Sequence, residues 1–256
     1  GVLLIIYTFS GGTKAVNVTQ KQQMFVIMSG MFITFFLILY YLPNDMTFTS
    51  AMHIAGANDK MNIVDFSFDP QEKYTFWSGI TGGFFLALAY FGTDQSQVGR
   101  YLSGKSVKES QMGLIMNGLL KVPMQFLILL TGVMVFVFFQ FNPVPLNFNP
   151  NNKIIIEKSQ YKEEYHTLEK KLEALSEDKK VINLLYIDQL NQDYDNPILR
   201  KELVALSSKE KDLRDHAKEL IQKADDRSET NDKDYVFFHF ILHYLPKGLI
   251  GLLLAV

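Results

Sequence analysis

Tyr90-Phe91-Gly92-Thr93-Asp94-Gln95-Ser96-Gln97-Val98-Gly99-Arg100-Tyr101-Leu102 ends an apolar run that opens at Phe76 and carries no charge before Asp94. An acid, two glutamines and a threonine then arrive together, followed by Arg100. Inside a lipid-spanning helix such a cluster is costly unless it faces protein, water or a ligand, which makes it a candidate functional site by default. Asp94, Gln95 and Arg100 fit two roles: they cap the helix end and pin it to the interface, or they gate. Tyr90 fits packing or gating equally.

Outward from this cluster, charge is distributed unevenly. Residues 151–235 hold 16 of the 25 basic and 20 of the 27 acidic side chains. The remainder is rich in Phe, Leu, Ile and Met, so the mean hydropathy of +0.05 averages two unlike populations. That pattern describes an all-α integral membrane protein with one large soluble insert. A net charge of −2 argues against nucleic-acid binding. The absence of cysteine excludes a disulfide framework, a thiolate metal site and a cysteine nucleophile.

In order, Val2–Phe9 reads as the tail of a helix, and Gly11-Gly12 as its break. Ser10–Gln23 reads as a basic loop with Lys14 and Lys21. Spans are expected at about 24–42, 76–98 and 112–141, each long enough for the hydrocarbon core, with Tyr40, Tyr41 and Pro43 at an interfacial end. Residues 1–150 thus form a transmembrane core, 151–234 an insert, and 235–256 the start of a next span entered through Leu245-Pro246. Asn44–Thr75 reads as a polar loop. Lys and Arg are in excess in Ser10–Gln23 and Gly99–Gln111, which carries Arg100, Lys105 and Lys108. The positive-inside rule puts those loops in the cytoplasm and the insert on the extracellular or periplasmic side.

Within the insert, Tyr161, Tyr165, Leu168, Leu172 and Leu175 repeat at heptad spacing. Leu199, Leu203, Leu206, Leu213, Ala217, Leu220 and Ala224 keep the same rhythm, interrupted at Glu210. Asp193-Tyr194-Asp195-Asn196-Pro197 supplies a turn with Asn as N-cap and Pro at the first helical position. The expectation is an antiparallel helical hairpin over 159–191 and 197–225. Its stripes fit self-packing or recruitment of a partner protein.

Four places resemble the sodium:solute symporters, the family of the sodium/glucose cotransporters. Gly11-Gly12-Thr13-Lys14-Ala15-Val16, with Thr19 and Gln23, looks like that family's GGxxAVxxTDxxQ loop. Thr93-Asp94-Gln95, with Val98 and Arg100, resembles its TDQxxVQR helix end, and Lys105-Ser106 the short loop that follows. Leu245-Pro246-Lys247-Gly248-Leu249-Ile250-Gly251-Leu252 is similar to its LPxGLxGL helix start. The resemblance covers the transmembrane part and leaves the insert aside.

That resemblance implies part of a LeuT-like inverted-repeat transporter bundle with a solute site near mid-membrane. It aligns Tyr90-Phe91 with an aromatic pair that stacks on or gates solute. It aligns Lys121, 27 residues after Asp94, with a solute-reaching lysine. Lys121 is also a lone charge in an apolar helix, which fits solute contact, snorkelling or an ion pair. Departures from the sugar-transporting pattern are Phe91 for Trp, Ala87 for a polar residue, Gln20 for Asp and Gly99 for Gln. They argue against a plain hexose; other branches carry sialic acid, vitamins, iodide or short carboxylates, and Lys121 suits an anion. The family's sodium site uses segments absent from these residues, so the chain is expected to be a fragment.

The expected function is sodium-coupled symport of a small organic solute across the plasma (inner) membrane by a multi-pass protein. Sodium is the coupling ion, with no cofactor, no metal site and no nucleic acid. The rival is a solute sensor, the same membrane fold fused to a signalling domain. His239 and His243 have the spacing of a metal pair but lack a third ligand, so an interfacial anchor fits better. Asn117 and Gln125 fit interhelical hydrogen bonds. No Ser/His/Asp set or phosphate loop is present, which argues against an enzyme.

Overall fold

A computed structural model describes residues 2–62, 65–68, 75–102 and 106–254. The helices are α1 (Val2–Tyr41), α2 (Phe48–Ala57), α3 (Phe76–Leu88), α4 (Gln95–Leu102), α5 (Val107–Phe138), α6 (Pro150–Glu157), α7 (Lys162–Leu190), α8 (Pro197–Ala224), α9 (Lys233–Tyr244) and α10 (Lys247–Leu254). A π-helical turn, Ala89–Thr93, extends α3. There is no strand among the described residues. Ala15–Tyr41 and Val107–Phe138 are long and apolar enough to cross a membrane. The chain divides into two compact units, residues 1–58 with 131–256, and residues 59–130.

Several expected boundaries move. The basic stretch Ser10–Gln23 is helical, not a loop. Gly12 adopts φ 54°, ψ −154°, a conformation glycine reaches without Cβ strain, and helix resumes directly after it. The glycine pair thus interrupts the helix as expected, at Gly12, and a second helical stretch follows it because nothing from Thr13 to Gln23 breaks a helix. The 24–42 span accordingly starts earlier, and the 112–141 span runs Val107–Phe138. The expected polar loop contains α2, which starts where Thr47 Oγ1 accepts the Ser50 amide at 3.1 Å. The 235–256 span is two helices. Pro246 forces Leu245 into extended backbone (φ −85°, ψ 150°), ending α9 and starting α10 afresh. Leu253 of α10 fills the space beside Gly30, where a Cβ would lie 2.3 Å from its methyl carbon.

In the larger unit, Ile38 of α1, Ile54 of α2, Met134 and Phe138 of α5, and Phe240 of α9 are fully buried in one core. Tyr186 and Ile187 of α7 and Leu203 of α8 belong to the same core. Each such side chain contributes about 1.5–3 kcal/mol by leaving water. Rings reinforce it: Phe138 meets Phe240 at 5.0 Å and Tyr244 at 4.7 Å between centroids, both edge-on. A second core joins Leu146, Ile156, Tyr165, Leu168, Leu172, Leu220 and Ile221 at the other end of the hairpin.

The hairpin helices are Lys162–Leu190 and Pro197–Ala224. Asn196 Oδ1 accepts the Ile198 amide at 2.8 Å, and its Nδ2 donates to Gln189 Oε1 at 2.7 Å. Asp193 takes φ 58°, which aspartate tolerates. Glu210 explains the interrupted stripe. Its carboxylate lies 2.9 Å from Lys179 Nζ and 2.9 Å from Arg214 Nε. Arg214 also donates to the Pro145 and Leu146 carbonyls at 3.0 Å each. Burial pushes the Glu210 carboxyl up, but the Lys179 and Arg214 charges outweigh it and hold it below the ordinary glutamate value. One turn away, Asn183 is fully buried with neither amide atom hydrogen-bonded.

Candidate functional site

In the smaller unit, α3 has a strong helix start. Thr75 and Ser78 form a reciprocal capping box, with the Thr75 amide on Ser78 Oγ at 3.0 Å and the Ser78 amide on Thr75 Oγ1 at 3.2 Å. Thirteen residues on, the α-helix loosens into the π turn, where the Asp94 amide reaches the Ala89 carbonyl at 3.0 Å. Thr93 Oγ1 donates to the same carbonyl at 2.9 Å. Asp94 is then extended (φ −70°, ψ 104°), and α4 begins at Gln95. The expected continuous 76–98 span is therefore broken at Asp94. The polar cluster supplies its own local hydrogen bonds there, which competes with uninterrupted helix.

This break divides the candidate residues. Tyr90 and Phe91 lie on the π turn, their rings perpendicular (83°) with centroids 5.0 Å apart. Asp94 caps α4: its carbonyl accepts the Val98 amide at 2.9 Å and its carboxylate the Gln97 amide at 3.4 Å. Gln95 is the first residue of α4 and is exposed. The Arg100 side chain, like Lys105, Asp69, Glu72 and Lys73, lies outside the described residues.

Lys121 comes to the aromatic pair from α5. Its Nζ stands 5.6 Å from the centre of the Tyr90 ring, over its face. The ring quadrupole attracts a cation there, by about 0.5–1 kcal/mol when exposed and about 2 when dry. No carboxylate pairs with Lys121 among the described residues. Tyr90, Phe91 and Lys121 are all exposed, beside the equally exposed Phe84, Phe85, Leu119, Leu120 and Val122. What the arrangement can do is hold one positive charge over an aromatic face beside exposed apolar side chains.

Two features escaped the sequence reading. Pro123 lies inside α5, two residues after Lys121, and leaves the Leu119 carbonyl without its helical donor. The π turn under Tyr90 is the second; such turns recur at functional sites. Pro123 was visible as a helix breaker in an apolar run, whereas the π turn has no comparable signature. Elsewhere, His239 and His243 stack ring on ring at 4.0 Å, with His239 against Phe139 and Phe148. Among the described residues no three His, Cys, Asp or Glu side chains are placed to hold a metal ion.

Helical architecture and two helices of membrane-spanning length define the class: an all-α chain with membrane-capable helices. The family model for the sodium:solute symporter family matches residues 1–173, and the chain belongs to that family. It is 31% identical over 119 residues to the sodium/iodide cotransporter of Homo sapiens, covering 46% of this chain and 18% of that protein. It is 34% identical over 118 residues to sodium-coupled monocarboxylate transporter 2 of Mus musculus, again 46% of this chain and 18% of the relative. The chain thus spans about a fifth of the length of the curated relatives it matches. No solved structure matches it.

Proposed function

We propose that the protein acts in sodium-coupled uptake of a small anionic solute by alternating access across the plasma (inner) membrane. Tyr90, Phe91 and Lys121 are the solute-facing residues of this reading. The observation that carries it is Lys121 Nζ over the Tyr90 ring face, on a helix otherwise apolar around it. An ammonium with no carboxylate beside it among the described residues is expensive in such surroundings, and a solute carboxylate or halide would supply a counter-charge. The names of the relatives, iodide and monocarboxylate cotransporters, support an anion over a hexose. The aromatic pair would cover the solute while Lys121 holds it. The sodium site is expected on family segments outside these residues. Lys14 and Lys21 at the far end of α1 support a cytoplasmic position for that end and an extracellular or periplasmic insert.

The test is uptake of labelled iodide and short monocarboxylates by the full-length protein, with sodium replaced by choline as the control. Lys121→Ala should lower sodium-driven kcat/KM about 100-fold, equivalent to about 2.7 kcal/mol. Tyr90→Ala should cost about 10-fold, while Tyr90→Phe, which keeps the ring face, should cost little. Unchanged kinetics in both alanine variants would sink the site. Solute binding with no flux would instead favour the sensor reading.

A further inference from the structure

We infer that the insert is a strap: it holds the neighbouring ends of α1, α2, α5 and α9 as one rigid body, and stays docked while the protein transports. This rests on the transporter reading for its cycle, but its docking is carried by different observations.

A module meant to swing free or to fish for partners is joined by flexible polar linkers and keeps its own core. This insert has a core of its own at one end of the hairpin, but its turn end is buried elsewhere and its linkers are not free. Tyr186, Ile187 and Leu203, at the turn end of the hairpin, are buried in the core that Ile38, Ile54, Met134, Phe138 and Phe240 build. Both connecting segments are folded as well. In the entry segment Phe139, Phe141, Leu146, Asn147 and Asn149 are buried, and the Phe148 amide donates to Asp232 Oδ2 of the exit segment at 2.8 Å. Asn152 Nδ2 of α6 donates to the Glu229 carbonyl at 2.9 Å, tying entry to exit a second time.

The hairpin then reaches the α1–α2 corner. Asn191 Nδ2 donates to the Asp45 carbonyl at 2.9 Å, and Ser207 Oγ donates to Asn58 Oδ1 at 2.5 Å. Asn191, in the hairpin turn, and Ser207, midway along α8, thus fasten the α2 region at two separate points. Fastening at both ends fits a brace and not a lever. Undocking would expose Tyr186, Ile187 and Leu203 together with Ile38, Ile54 and Phe240 to water, a contiguous apolar surface that the cycle would have to uncover on every turn. Conformational change is therefore placed away from these four helix ends.

The test uses the full-length protein in proteoliposomes with Asn58→Cys and Ser207→Cys. The 256 residues contain no cysteine, and any elsewhere are replaced. A short bis-thiosulfonate joins the two thiols, and reductant releases them. If the unlinked variant transports, linking to completion should leave sodium-driven uptake within about twofold of the single-cysteine controls. A tenfold loss restored by reductant would overturn the strap. If no solute is taken up even unlinked, the transport reading fails, and hydrogen exchange of the unmodified protein judges the strap by itself. Peptides covering Tyr186–Ile187 and Leu203 should exchange as slowly as Val135–Phe138, as parts of one cooperative unit. Exchange a hundredfold faster in the hairpin would overturn the docking.

Discussion

The insert end of the molecule and the segment carrying Tyr90 and Lys121 are built on opposite rules. In the first, apolar side chains from six helices bury one another, and most of that region's charge lies on the two hairpin helices. In the second, none of the described α3 residues is buried, and the single lysine of the apolar part of α5 leans on an aromatic face. One region has satisfied its own packing. The other presents surfaces that only lipid, further helices or a solute can complete. The same residue change should therefore mean different things in the two places.

The largest contrast is between two phenylalanines. Phe138 is 0% exposed and touches four other rings, those of Tyr41, Phe139, Phe240 and Tyr244. Phe138→Ala should cost about 3–5 kcal/mol, through lost burial and the cavity left behind. Phe85, 69% exposed, should tolerate alanine with less than about 1 kcal/mol of loss. Thermal unfolding of the full-length protein in detergent compares them; equal shifts would erase the distinction between the regions.

Next comes the ion triad. Glu210→Gln removes the charge facing Lys179, which is 4% exposed, and should destabilise the hairpin by about 3 kcal/mol. The pH dependence has a definite sign. Glu210 titrates lower in the folded chain than in the unfolded one. Its contribution is therefore complete above the unfolded glutamate value of about 4.3 and is lost as pH falls through the lower folded value. Hairpin protection factors, exchange corrected for its intrinsic pH dependence, should fall on acidification below that point in the parent protein, and less in Glu210→Gln, where the group no longer titrates. An identical pH slope in both would assign the acid sensitivity elsewhere.

This triad also marks where sequence reading stops. The heptad stripes and the Asn196-Pro197 start made the hairpin legible, because period and cap are local signals. Glu210 could be seen as an interruption. Its partner could not, since Lys179 on a charged helix looks like surface until the opposing helix is in place. The helix α2 was missed because ten residues rich in Ala, Gly, Ser and Thr give little periodicity, whereas the break at the glycine pair was legible and only the helix resuming after it was not. Docking of the insert was invisible too: Tyr186, Ile187 and Leu203 share a core with residues far away in sequence, among them Ile38 and Phe240. At the candidate site, the cluster and the lone lysine were legible as costly groups. Their mutual approach entered only through the family resemblance, and the π turn beneath Tyr90 not at all.

The smallest expected effect runs in the stabilising direction. Asn183 is fully buried in the hairpin, and neither its amide nitrogen nor its amide oxygen is hydrogen-bonded. A buried amide with no partner carries its desolvation cost unrelieved, and an apolar side chain of similar volume removes that cost. Asn183→Leu should therefore raise hairpin stability by about 1–2 kcal/mol, read as slower exchange across Tyr186–Ile187 and Leu203. If those amides are instead part of the docked core described above, the slowing should extend to Val135–Phe138 on α5. Slowing confined to the hairpin would separate the two, and would show that the insert end is two cooperative units where the packing makes it one.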